Sequence, residues 1–468
     1  MTLNKTNLAQ ICFLLLLFSI FFPIRHTFLT PSAYILGQYS DFTSFSLYLS
    51  DILLIITWFL VILPRGELGT KRLIPNSYIL ILIIWLILDL IWHFKTNSNL
   101  NYYNALKYAE LIVACGTAYH VFRKTSIKSL FLNVFVIFSS VESILALWQF
   151  AIQKSIGGFL HRLGESIIAP NIANVAKIVS SGTTYIRGYG TFPHPNLLSA
   201  FLITGIFILL YQILTETKLK YRFFYILGLF INILGLTVSF SRAGYIALAF
   251  GLVLFFGFLI FFDTAIGKMR VWLTILYVAL ALATSFIIFK PFLITRETIS
   301  DDAVSARLTY AQIGGRMIKA NPLFGVGIGE SVLHMQQYSL AHLQPWEIQP
   351  IHNYFVLAVA ELGLPGALIF ILIFLSLLFG LIKKLRQLSD FTLVTYNLSL
   401  ITILCSFLVL MQFDHYFYTL EQTQMLLWIM LGIITAEISK PAPLNWMPET
   451  IKDLEINKNP QSGDSPNI

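Results

Sequence analysis

Residues 223–262 read FFYILGLFINILGLTVSFSRAGYIALAFGLVLFFGFLIFF, and the only charged side chain in the stretch, Arg242, stands near its middle. A helix needs about 20 apolar residues to cross a hydrocarbon core of about 30 Å. With no water to satisfy it there, the backbone must bond to itself. The stretch therefore reads as two membrane-spanning helices joined by almost no loop, with Arg242 at the membrane boundary. An arginine in that position is costly unless it is paired, faces a polar cavity or reaches out to water.

The same pattern recurs along the chain. Hydrophobic residues make up 57% and charged residues 12% of the 468, against about 25% charged in soluble domains. The apolar blocks predict twelve spans near 8–24, 41–63, 76–94, 104–122, 129–152, 195–214, 223–240, 243–262, 271–289, 364–382, 391–411 and 422–438. The expected fold is an all-α polytopic membrane protein, one transmembrane domain over 1–440 with a disordered cytoplasmic tail at 441–468. The first apolar run follows Lys5 as in a signal peptide, but no small-residue cleavage pattern follows, so it reads as a retained span. Cys12, Cys115 and Cys405 all lie in apolar segments without C-x-x-C spacing, which suits small core residues.

Orientation follows from the short connections. Basic clusters alternate along them: Arg65/Lys71/Arg72, Arg123/Lys124/Lys128, Lys218/Lys220/Arg222, Lys268/Arg270 and Lys383/Lys384/Arg386. The positive-inside rule makes these cytoplasmic, so the net charge of +8 reports topology and implies no nucleic-acid partner. Both termini are then expected inside. The two long polar loops, 153–194 and 290–351 (the latter between spans 9 and 10), fall outside; loops of this length are usually functional or disordered, and here function is the expectation.

Four motifs share that outer face. The first is Arg187-Gly-Tyr-Gly-Thr-Phe-Pro-His194-Pro-Asn196, closing the first long loop. The second is Ser241-Arg242-Ala243-Gly244. The third begins on an amphipathic helix expected from about Ala303 to Ala320, carrying Arg307 and Arg316, and runs through Asn321-Pro-Leu-Phe-Gly325-Val-Gly327-Ile-Gly329. The glycines resemble a phosphate loop only superficially, because no strand precedes them and no Lys-Ser/Thr follows. The fourth is His352-Asn353, continuing to Glu361-Leu-Gly363-Leu-Pro365-Gly366, where Gly363 and Pro365 are expected to break the helix. No D-x-D pair stands outside to hold a metal (Asp301-Asp302 has the wrong spacing). A face rich in arginine and histidine and poor in carboxylates suits a phosphate or diphosphate bound without a metal. Asp89, Glu110 and Glu142, in the outer halves of their spans, are open to a cavity-facing or a structural reading, and Glu110 to a pairing with Lys107.

In this order the motifs resemble the O-antigen ligase and polymerase family, bacterial membrane glycosyltransferases of the C-type superfold. The resemblance covers residues 40–440 in organisation and is densest over 185–366. It implies a glycan donor on undecaprenyl diphosphate, an acceptor that is a glycan, lipid or protein, and no cofactor or metal. It also implies that Arg242 and Arg307 bind the diphosphate, with Arg187 as a further arginine, and that His352 is the base. His194, Asn353, Arg316 and Asp414, the last in Asp414-His-Tyr-Phe-Tyr-Thr-Leu-Glu-Gln422, are candidate lining residues. A hydroxyl attacking the anomeric carbon needs a base, and histidine's reference pKa of about 6.5 suits that. Direct displacement implies inversion. The expected place is the cytoplasmic (inner) membrane with the site outside. A polymerase, or a transporter of a small anion or lipid-linked glycan, is the competing expectation. The sequence shows no internal repeat of the kind many transporters carry.

Overall fold

The computed structural model describes residues 5–62, 77–94, 98–123, 127–261, 265–295 and 301–441. The basic cluster Arg65/Lys71/Arg72, Lys124 and the tail 442–468 lie outside the described residues, as do the side chains of Asp301 and Asp302.

The chain runs through α1 (Lys5–Phe21), β1 (Arg25–Phe28), β2 (Tyr34–Ile35), β3 (Gln38–Tyr39), β4 (Phe45–Tyr48), α2 (Leu49–Ile62), α3 (Ser77–Trp92), α4 (Asn99–Arg123) and α5 (Lys128–Ile152). It continues with α6 (Phe159–Arg162), β5 (Lys177–Ser180), β6 (Thr183–Ile186), α7 (Pro195–Thr215), α8 (Leu219–Ser239), α9 (Arg242–Phe261) and α10 (Ala265–Thr295). The last elements are α11 (Asp301–Ala320), α12 (Ser331–Tyr338), α13 (Tyr354–Leu385), α14 (Phe391–Phe413), α15 (Tyr416–Thr419) and α16 (Glu421–Ile438).

A helix occupies each of the twelve expected positions. Seven of them, α5, α7 to α10, α13 and α14, are long and apolar enough to cross a membrane. α1, α2 and α3 are apolar but shorter. α7 stands at the centre, with almost every side chain buried, while Ile84, Ile87, Trp272, Leu276 and Ile287 point outward. Apolar side chains exposed all round a bundle mark a lipid-facing surface.

The second span starts later than expected. Residues 45–48 form a strand paired antiparallel with Arg25–Phe28, so the helix begins at Leu49. Alternation decides this: Ser46 and Tyr48 are buried while Leu47 between them is exposed, the Ser46 hydroxyl lies 3.0 Å from that of Thr27, and Asp51 accepts the Tyr48 N–H at 3.0 Å. The loop 153–194 also carries a small hairpin, β5–β6.

Buried charge ties the bundle together. The Lys107 ammonium lies 2.6 Å from Asp51, 3.1 Å from Glu110 and 3.5 Å from Glu421, joining α2, α4 and α16. The Glu142 carboxylate accepts the backbone N–H of Thr191 at 2.8 Å and its hydroxyl at 2.9 Å, fastening the first long loop to α5. For Glu110 and Glu142 the structural reading describes what is found.

α13 is two helices joined at a break. Gly363 sits at φ 71, ψ 177, a region almost confined to glycine. Pro365 has no N–H to give the carbonyl of Glu361, and the Leu364 N–H turns to Pro322 at 2.9 Å. Two helix carbonyls are thereby released. Ala360 O accepts from Val326 N at 2.9 Å and Glu361 O from Gly327 N at 3.0 Å. The Glu361 carboxylate takes the Gly329 N–H at 2.6 Å. The glycine run is the other half of a helix break, and its backbone N–H groups serve the protein itself.

Candidate active site

Each motif reaches the site by a local device. His194 caps α7, its Nδ1 accepting the Asn196 N–H at 3.1 Å. Phe240 turns the chain out of α8 in the left-handed conformation, and the Ser241 hydroxyl accepts the Gly244 N–H at 3.1 Å. Arg242 thus opens α9, where the helix dipole favours an anion. Asn353 caps α13 through Phe355 N and Val356 N, both at 3.0 Å, which sets His352 just outside the helix. Arg307 projects from the exposed side of α11.

These ends surround one cavity of about 610 Å³. Arg187, His194, Asn196, Arg242, Arg307, His352 and Asp414 all line it, joined by Lys177, Tyr310, Gln349 and Tyr416. Two candidates lie elsewhere. Arg316 donates through Nε to the Tyr338 carbonyl, tying α11 to the end of α12. The Asn353 side chain is spent on its cap and on the Gln412 carbonyl at 3.0 Å. Asp89, Glu110 and Glu142 do not line this cavity.

Arg187 has a double duty. It is 6% exposed, donates through Nε to Ser239 O at 2.6 Å and through Nη2 to Asn196 Oδ1 at 2.7 Å. Asn196 in turn donates to Asp414 Oδ2 at 2.9 Å. One chain of hydrogen bonds therefore runs from the end of α8 to the carboxylate after α14.

His352 lies flat against Tyr310, rings 5.1 Å apart and 8° from parallel, with the His415 ring edge-on at 5.0 Å. Its Nδ1 is 3.0 Å from the Pro350 carbonyl. A carbonyl only accepts, so Nδ1 carries the proton and Nε2 keeps the lone pair. Burial pushes the His352 pKa down, Asp414 pulls it up and Arg307 pushes it down again, leaving the ring neutral near pH 7. Burial raises the Asp414 carboxyl, against the lowering pull of His352, Asn196, the His415 N–H and Arg307. His415 is held far below the ordinary histidine value by burial and then by the two other histidines.

His352, Asp414 and His415 each offer one ligand atom, and the three lie within 4.8 Å of one another. Two imidazoles and a carboxylate are a set that a divalent ion accepts. The arginines and Lys177 around the same cavity work against a further cation, and the three groups equally suit the handling of a proton.

Residues 227–371 match the family model described as O-antigen ligase. That segment, roughly a third of the chain, belongs to the O-antigen ligase family. It carries Arg242, Arg307 and His352, the three residues on which the sequence resemblance placed the central roles. Arg187, His194, Asn196 and Asp414 come to the cavity from outside the ligase segment. No curated protein matches the chain.

Lys177, Tyr310, Gln349, Tyr416 and His415 were not singled out from sequence. Tyr416 and His415 follow Asp414 directly, so that stretch was the available signal. Nothing in the sequence signals Lys177, which the β5–β6 hairpin folds into the wall.

Proposed function

We propose that the protein is a membrane glycosyltransferase of twelve spans, with both termini cytoplasmic and its site on the outer face of the cytoplasmic membrane. It moves a glycan from undecaprenyl diphosphate to an acceptor hydroxyl. The observation that carries this reading is the convergence of Arg242, Arg307 and His352, from three separate motifs, on one cavity.

The neutral Nε2 of His352 takes the hydroxyl proton as its oxygen attacks the anomeric carbon. The bond from that carbon to the diphosphate oxygen breaks, and the leaving charge gathers beside Arg242 and Arg307. Cations fixed beforehand in a water-poor site stabilise such charge without reorganising. Asp414 steadies the imidazolium until its proton leaves. Attack opposite the leaving group inverts the anomeric centre. The arginines supply the counter-charge that a metal supplies in other glycosyl transfers, so the reaction is metal-independent.

Purified protein in nanodiscs, given undecaprenyl diphosphate glycan and acceptor in the presence of EDTA, is expected to release undecaprenyl diphosphate. Arg242→Ala, Arg307→Ala and His352→Ala should lower release, the last by about 10²–10⁴-fold as for other positioned bases. Full release from folded His352→Ala would remove the base assignment. A single product favours the ligase form, and a ladder on the lipid carrier favours the polymerase form of the same chemistry.

A further inference from the structure

A second cavity, of about 310 Å³, is lined by residues from the same loops that wall the arginine cavity. Pro193 lines the second and His194 the first, so this dipeptide forms a rim that stands between the two. The segment after Asp414 forms the other boundary, with Tyr416 in the first cavity and Gln422 in the second.

Gln422 is the telling residue. It is 4% exposed and opens into the second cavity, yet among the described residues its side-chain amide makes no hydrogen bond. The amide keeps its little exposure toward that cavity, so a partner for it would come from the cavity side. Arg162 and Ser166 stand on the same wall, also with no side-chain hydrogen bond or ion pair among the described residues. Other polar groups there are already engaged: Arg25 pairs with Asp41 at 2.8 Å, and Glu165 accepts the N–H groups of Ile156 and Gly157, each at 2.7 Å. What the protein leaves open to a ligand is an amide, a hydroxyl and one guanidinium, groups that pair with vicinal hydroxyls and ring oxygens.

A cavity smaller than the first continues this one inward, sharing Arg25, Asp41, Tyr48 and Leu420. Its wall includes Pro350, the acceptor for His352 Nδ1, and Thr419, whose hydroxyl is 2.6 Å from His415 Nδ1. The second cavity thus connects with the residues that support His352 and His415, and neither Arg242 nor Arg307 lines it. In a direct displacement the attacking hydroxyl and the base share one side and the diphosphate takes the other.

We propose that this second cavity is an acceptor subsite that binds a neutral, hydroxyl-rich sugar through Gln422, Arg162 and Ser166. It presents that sugar's hydroxyl, or the next sugar's, across the Pro193–His194 rim to His352. The inference rests on the transferase reading above and goes beyond it by naming where and by what chemistry the acceptor is held.

The test uses competition between sugar and water for one donor. Protein in nanodiscs receives undecaprenyl diphosphate glycan and a mixture of methyl glycosides of common hexoses, hexosamines and heptoses. Mass spectrometry counts glycan transferred to glycoside against glycan released to water. Loss of a hydrogen bond to a neutral hydroxyl is expected to lower the transfer-to-hydrolysis ratio about three- to tenfold in Gln422→Met. Arg162→Gln, on the cavity's exposed rim, should lower it in the same direction, and guards against misfolding of the first variant. An unchanged ratio in both variants overturns the subsite, as does hydrolysis by the wild type with no glycoside accepted. Failure of the transferase reading looks different: the wild type then turns over no donor, to sugar or to water.

Discussion

Replacing Arg187 by lysine separates a clamp from a ligand. The guanidinium holds Ser239 O and Asn196 Oδ1 at once, a fork that an ammonium cannot reproduce. Ser239 is wholly buried, so its carbonyl has no water to turn to once the fork is gone. Asn196 faces the cavity and can be rehydrated. Leaving one buried acceptor unsatisfied costs about 1–3 kcal/mol, and a hydrogen bond to a charged group contributes about 1.5–3 kcal/mol. With one of the two contacts recoverable, Arg187→Lys should lose roughly 2–4 kcal/mol of stability. Arg242→Lys, exposed at the start of α9, should change stability by less than about 1 kcal/mol while lowering undecaprenyl diphosphate release. Thermal melts of both variants in the same nanodiscs, beside release assays, compare them directly. If Arg187→Lys melts like the wild type while release collapses, Arg187 is a diphosphate ligand and the clamp argument fails.

Two further outcomes follow from the same geometry. Gly363→Ala places a methyl group 2.0 Å from the Leu323 carbonyl oxygen in a backbone region that costs about 1–3 kcal/mol for other residues. It should lower the melting temperature and weaken release together, and amide exchange at Val326 and Gly327 should quicken; a wild-type melt would refute the helix-break account. Burial lowers the pKa of His352, so the base stays neutral above pH 6.5 and loses activity only as pH falls through its lowered value. His415 is depressed too. Below about pH 6.5 the unfolded chain therefore takes up protons that the folded one refuses, and stability falls with pH there; an activity midpoint above pH 7 would refute this.

Much of the fold was legible because hydrocarbon thickness imposes one length on every span. Arg242 between two apolar runs placed the α8–α9 turn, and the Asn-Pro after Ala320 placed the end of α11. The strand at Phe45–Tyr48 was missed because four apolar or small residues ahead of a span look like its first turn. Their pairing with Arg25–Phe28 is a long-range fact. Arg187 and His194 could be nominated by residue type, but whether Arg187 binds a ligand or its neighbours depends on where Ser239 and Asn196 fall. Arg316, of the same type and on the same helix as Arg307, faces the end of α12. Nine residues apart, the two stand on opposite faces of the helix, but periodicity does not say which face meets the cavity.

The helix break also bears on catalysis. Arg307 lies on α11, which ends at Ala320, and His352 lies just before α13. The thirty-odd residues between them would be free to drift if joined only at their ends. One of their holds is at α13, which gives up two of its own hydrogen bonds at Gly363 and Pro365, and the loop after α11 takes over the released carbonyls. Pro322, Val326 and Gly327 thus meet the same turn of α13 that stands three turns from His352. Tyr310, one turn past Arg307, closes the circuit by stacking on His352 itself. A cation for the leaving group and a base for the nucleophile must keep a fixed separation to act on one bond. Here the break at one end and the ring stack at the other both fix that separation, beside the tie from Arg316 to the Tyr338 carbonyl. Loosening either should reduce turnover even where both Arg307 and His352 are intact.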